Sequence, residues 1–127
     1  MRFIIHERTK RTMFGLWCVT WLVVLVASLW PLQQMPFGLP DKLVHFACYV
    51  AMTSAVATFC HEVRGLLRWF VFTIVMGGLI EVAQHFAPRR SMSFDDFLAD
   101  AAGAACGLLL ALLWLAVVVR PLRRAAA

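Results

Sequence analysis

The sequence predicts an all-α polytopic membrane protein, a bundle of four transmembrane helices with both termini in the cytoplasm. Three observations lead there. Of 127 residues, 62% are hydrophobic and 15% charged, and the mean hydropathy is +0.79. A soluble domain of this size has too little interior to hide so much apolar surface. Four segments, Met13–Trp30, Leu43–Cys60, Leu66–Ala83 and Phe97–Val119, approach the roughly 20 mostly apolar residues a helix needs to cross a bilayer. The basic residues divide unevenly between the connections. Arg2, Arg8, Lys10 and Arg11 precede the first run, Arg64 and Arg68 sit at the second connection, and Arg120, Arg123 and Arg124 follow the last run. Only Lys42, Arg89 and Arg90 lie at the other two connections, and nine against three places both termini inside. One membrane domain over residues 13–119 follows, flanked by basic segments at 1–12 and 120–127.

The N-terminal segment has the basic start and apolar stretch of a signal peptide. The stretch is long for that role, and Trp30-Pro31 follows where small residues would precede cleavage, so an uncleaved first helix is expected. The first connection, Pro31–Pro40, carries Gly38 and three prolines and should be an extended external loop, held at the membrane by Trp30 and Phe37. Pro40-Asp41 opens the second helix, with an acidic side chain at the positive end of the dipole. The short connection His61–Gly65 makes helices two and three an antiparallel hairpin, and Arg68 and Trp69 fall at interfacial depth. After the polar connection His85–Asp95, Ser93 with Asp96 three residues on forms a weak capping box. Helix four then carries Ala99, Gly103, Gly107 and Ala111 at four-residue spacing, a stripe that lets another backbone approach. Gly77 and Gly78 do the same on helix three, and packing within the chain is expected over dimerisation. Cys18, Cys48, Cys60 and Cys106 all fall inside the spans without metal or redox spacing, and read as small packing residues.

Charge inside the apolar runs is the functional signal. Glu81 sits near one end of the third run, where an ionised carboxylate is costly and normally faces protein or water. With the N-terminus inside, helix two starts at the outer surface, helix three ends there and helix four starts there. Asp41, His45 and Tyr49 share a face of helix two; Glu81, Gln84 and His85 share one of helix three; Asp96 and Asp100 lie one turn apart on helix four. At about 1.5 Å rise per residue, His45, Glu81 and Asp100 should each lie roughly 5–8 Å below the outer edge. Taken singly, Asp41 is a helix-start residue, Lys42 an interfacial anchor, Arg89 and Arg90 headgroup contacts and Asp95 a solvated helix-start residue. His45, Glu81 and Asp100 resist that treatment because each lies inside a span. A structural network of Glu81 with Arg89 or Lys42 is the competing explanation. No HExxH spacing, nucleophile elbow or Gly-rich phosphate loop occurs, so neither a metal nor another cofactor is expected, and binding is expected over catalysis.

The motifs Asp41-Lys42-xx-His45-Phe46-xx-Tyr49, Glu81-xx-Gln84 followed by Pro88-Arg89, and Asp96-xxx-Asp100-xx-Gly103-xxx-Gly107 together resemble the VanZ-like membrane protein family over Pro40 to about Leu112. The resemblance implies a small multi-pass protein of the bacterial inner membrane, related to one linked to low-level teicoplanin resistance. It implies functional positions at Asp41, Lys42, His45, Tyr49, Glu81, Gln84, one of Arg89 and Arg90, Asp96 and Asp100; many relatives carry Asn at the Asp100 position. Two functions follow as expectations. In one, the outer site binds a phosphate-bearing envelope lipid, with Lys42 and an arginine on the phosphate, and influences the envelope or glycopeptide sensitivity. In the other, the polar cluster is a packing network or an ion- or solute-conducting lining. Membrane lipids are the expected partners. Nucleic acid is not, because the basic residues flank spans as topology determinants do.

Overall fold

A computed structural model describes residues 7–30, 40–88 and 91–125, and every regular element among them is helical. Helix α1 runs Glu7–Leu29, α2 Asp41–Ala55, α3 Val63–His85 and α4 Phe94–Trp114. A π-helical segment, Leu115–Val119, continues α4 into the short helix α5, Arg120–Ala125. The loop expected over Pro31–Pro40, apart from Pro40 itself, and the loop residues Arg89 and Arg90 lie outside the described residues.

Three helices are long and apolar enough to cross a membrane: Glu7–Leu29, Val63–His85 and the continuous Phe94–Leu122. The second predicted span differs. Helix α2 has 15 residues, about 22 Å at ~1.5 Å each, against a hydrocarbon layer of about 30 Å. It ends in the 3₁₀ turn Val56–Thr58. The hydroxyls near this end offer the backbone other partners. Ser54 Oγ donates to the Ala51 carbonyl at 3.2 Å, and Thr58 Oγ1 to the Ala55 carbonyl at 2.7 Å. Hydroxyls that bond nearby carbonyls compete with regular helix, and here the last turn tightens. The hydropathy run to Cys60 does not register that competition.

The helices alternate in direction. Along α2 and α4, Lys42 pairs with Asp95, His45 with Asp100, and Phe46 and Val50 lie against Gly103 and Gly107, so the two helices run parallel. Along α1 and α3, Trp17 meets Trp69 edge to face while Ser28 meets Gln84, so these run parallel to each other. The short turn after α3 makes it antiparallel to α4. The C-terminal ends of α1 and α3 and the N-terminal ends of α2 and α4 therefore gather at one end of the bundle.

The small-residue stripe of α4 packs against α2 of the same chain. A side chain at Gly103 would strike the Phe46 carbonyl oxygen. One at Gly107 would stand 2.6 Å from the Val50 carbonyl and 2.8 Å from Thr53 Cβ. Neighbouring Ala104 and Ala111 are buried. Such close backbone approach is what small residues provide where burial from water cannot drive association. Gly78 is different, with only the Phe97 ring 3.5 Å from a notional Cβ.

Away from the seams the surface is apolar. Leu16, Val19, Val23 and Val26 on α1, Val75 and Leu79 on α3, and Leu109 and Leu113 on α4 are all exposed. A contiguous skirt of this kind marks a surface meant for lipid, and with the three long apolar helices it identifies a membrane protein. Cys18 and Cys106 lie on this exposed surface rather than in the packed interior, while Cys48 and Cys60 are half-buried. At the end away from the polar groups, Phe14, Trp17, Phe59, Trp69 and Phe72 form a continuous aromatic cluster. Trp17 Nε1 donates to the Met52 carbonyl at 2.8 Å, fixing α1 to α2.

Candidate functional site

The polar end is built from α2, α3 and α4. His45 and Tyr49 project from one face of α2, four residues apart. His45 Nδ1 lies 2.9 Å from Asp100 Oδ1, and its Nε2 lies 3.8 Å from Asp41 Oδ1 one turn back. Tyr49 is buried against Trp21, with ring centroids 6.0 Å apart. Its hydroxyl and Asp100 Oδ2 would lie 3.2 and 3.4 Å from a Cβ at Gly77, so this glycine leaves room for both at the α3 surface.

Glu81 is one turn beyond Gly77 on the same face of α3 and is 3% exposed; Asp100 is 2% exposed. Glu81 Oε2 accepts the Ser93 backbone N–H at 3.0 Å, which ties the α3–α4 connection to the interior. Glu81 Oε1 and Asp100 Oδ2 are buried without a hydrogen-bond partner among the described residues. Ligand atoms of His45, Glu81 and Asp100 all lie within 4.8 Å of one another. A second group, Asp41, His45 and Asp96, meets the same limit, so His45 stands between an inner and an outer set of carboxylates. The shared depth expected of His45, Glu81 and Asp100 is thus the arrangement that the alternating helices produce.

The remaining site residues sit around this centre. Ser93 Oγ accepts the Asp96 backbone N–H at 3.2 Å, so the expected cap forms and sets the start of α4. Lys42 Nζ donates to Asp95 Oδ2 at 2.6 Å on the exposed rim. Lys42 therefore engages Asp95 and not Glu81, and the competing network with Glu81 does not form through it. Gln84 turns toward α1, donating from Nε2 to the Ser28 carbonyl at 3.0 Å, a bond that joins α3 to α1. Arg89 and Arg90 belong to the connection that Ser93 anchors but lie outside the described residues.

Three contributors were not singled out from the sequence. Asp95 reads as a solvated helix-start residue, yet it takes Lys42. Ser93 reads only as a cap, yet its backbone N–H holds Glu81. Trp21, which lines the buried side of Tyr49, looks like any apolar position of the first run. Elsewhere, an apolar groove of about 610 Å³ lies between the end of α2 and the π-helical stretch, lined by Ala57, Leu110, Trp114 and Val117 among others. It has the character of a lipid-chain contact and lies away from the polar centre.

A family model described as VanZ/LLP1 matches residues 4–115. No curated protein and no solved structure matches the chain.

Proposed function

The chain belongs to the VanZ/LLP1 family, and from that premise we propose that it is a four-crossing protein of the bacterial inner membrane whose outer polar recess binds a phosphate-bearing envelope lipid. Both termini are cytoplasmic in this reading, by the nine-to-three division of basic residues. Helix α2 supplies the second crossing together with its 3₁₀ turn: 15 residues at ~1.5 Å plus three at ~2.0 Å reach about 28 Å. The interfacial ends of α2 and α4 bring Lys42 and the α4 N-terminus to headgroup depth.

The observation that carries the proposal is the position of Lys42. It is an exposed cation at the end of the bundle that holds the buried histidine–carboxylate cluster. Asp95 occupies one of its three donors, which leaves others for a phosphate oxygen through charge-assisted hydrogen bonds. Binding is favoured over catalysis because the recess presents no activated nucleophile. The alternative, a packing or ion-conducting network without a lipid ligand, draws on the internal pairs Lys42–Asp95 and His45–Asp100.

Lipid co-purification separates them. Wild type extracted from native membranes in mild detergent should carry a phosphate-bearing lipid enriched over the bulk membrane, and Lys42→Ala should lose the enrichment while remaining monodisperse. Bulk-like lipid on the wild type would leave the network reading in place.

A further inference from the structure

The buried centre of the site has a charge imbalance that the described residues do not resolve. Two carboxylates, Glu81 and Asp100, are almost completely buried, and among the described residues they are faced by one imidazole, His45, and the neutral hydroxyl of Tyr49. Lys42, the nearby cation on the described part of the rim, is bonded to Asp95 and exposed. Buried charges are normally paired or bound to a metal. Moreover, Glu81 Oε1 is buried and carries no hydrogen bond from the described residues. Asp100 Oδ2 lies near the Tyr49 hydroxyl at the face of α3 that carries both Gly77 and Glu81, since a Gly77 Cβ would meet the two at 3.4 and 3.2 Å. Both carboxylates thus face the space between the helices and not lipid.

The donor set and spacing have the character of a metal site. We propose that His45, Glu81 and Asp100 bind a divalent transition-metal cation of the zinc–manganese class, with His45 Nδ1 and one oxygen of each carboxylate as ligands and Asp41 orienting the imidazole. Imidazole and carboxylate ligands together suit these ions better than magnesium or calcium, which favour all-oxygen shells. His45 Nδ1 and Asp100 Oδ1 are in hydrogen-bond contact at 2.9 Å, close enough for one ion with bonds of about 2.0–2.2 Å to engage both side chains. With Nδ1 on the metal, the proton sits on Nε2, which faces Asp41 Oδ1 at 3.8 Å, an electrostatic contact longer than a hydrogen bond. A carboxylate beside the second imidazole nitrogen is the usual means of fixing the tautomer of a metal-bound histidine. Ser93 performs the matching task for Glu81, holding Oε2 by its backbone N–H and leaving Oε1 to bind. Three protein ligands leave at least one coordination position for water or an anionic oxygen. The site rests on the cluster's own geometry and does not require the lipid reading.

The test uses full-length protein without a polyhistidine tag, purified in a glycoside detergent free of phosphate and equilibrated with zinc or manganese chloride. Elemental analysis should find about one metal per chain in the wild type, and less than about a tenth of that in Glu81→Gln and in Asp100→Asn. Asp41→Asn, whose side chain is only partly buried, should weaken affinity by about 10- to 100-fold without abolishing it, as loss of a supporting carboxylate does. Far-ultraviolet circular dichroism confirms that each variant is folded. The wild type alone supplies a second readout in case a variant does not fold. Its unfolding midpoint should rise with zinc concentration by mass action, and cobalt(II) should give ligand-field bands that a chelator removes. Absence of bound metal, midpoint shift and cobalt bands in the wild type would overturn the assignment. So would full stoichiometry in folded Glu81→Gln and Asp100→Asn, which would place any metal elsewhere. Neither result touches lipid co-purification, so the two ideas fail separately.

Discussion

His45 Nδ1 and Asp100 Oδ1 lie 2.9 Å apart in the interior between α2 and α4. This contact joins two parallel helices from opposite sides of the second connection, 55 residues apart in sequence. Truncating one partner of a buried pair strands the other, at a typical cost of about 3–5 kcal/mol. His45→Ala should therefore destabilise the protein by about 3 kcal/mol in detergent unfolding. Combining it with Asp100→Ala should cost less than the sum of the single changes, with a coupling of about 0.5–3 kcal/mol. Strict additivity would mean that the two side chains do not depend on each other.

Two glycines on different helix seams make opposite predictions. At Gly103 an added methyl would run into the Phe46 carbonyl, a backbone atom that cannot move aside cheaply. Gly103→Ala should cost about 1–3 kcal/mol from overpacking. At Gly78 the same methyl meets only the Phe97 ring at 3.5 Å. Gly78→Ala should be neutral or stabilise by up to about 1 kcal/mol through helix propensity. Similar effects at both positions would mean that the close approach does not govern stability.

The rim pair behaves differently. Lys42 and Asp95 are both largely exposed, and exposed ion pairs add little to stability because water and salt screen them. Lys42→Ala should leave the unfolding midpoint unchanged. A clear fall in the midpoint would make Lys42 a structural residue and remove its claim to a ligand.

The four crossings proposed for the chain predict the side of each connection. In a variant with its native cysteines replaced by alanine, Ser91→Cys should react in whole cells with a membrane-impermeant maleimide. Glu62→Cys and Ala125→Cys should react only after the cells are permeabilised. If α2 did not cross, the connections beyond it would change sides, and Glu62→Cys would react from outside.

Much of this arrangement is legible in the sequence, for identifiable reasons. The helices around Leu66–Ala83 and Phe97–Val119 follow from long, mostly apolar runs. The gathering of His45, Glu81 and Asp100 follows from helical spacing once the helices alternate in direction. The end of α2 does not follow, because Ser54 and Thr58 compete for backbone carbonyls inside a run that hydropathy treats as uniform. The Ser93–Glu81 hydrogen bond depends on the turn geometry after α3, and the choice of Asp95 over Glu81 by Lys42 depends on how α2 and α4 are juxtaposed. Neither is encoded in spacing along one helix. The exposure of Cys18 and Cys106 likewise depends on which face of each helix meets its neighbours.

The central claim, that the outer recess recognises a lipid phosphate, is tested most directly by titrating detergent-solubilised protein with phosphatidic acid and with phosphatidylcholine and counting bound lipid by native mass spectrometry. The account predicts at least about tenfold tighter binding of phosphatidic acid by the wild type, ~1.4 kcal/mol. It also predicts loss of that preference in folded Lys42→Ala. Equal affinity for the two lipids in the wild type, or an undiminished preference in Lys42→Ala, would contradict it.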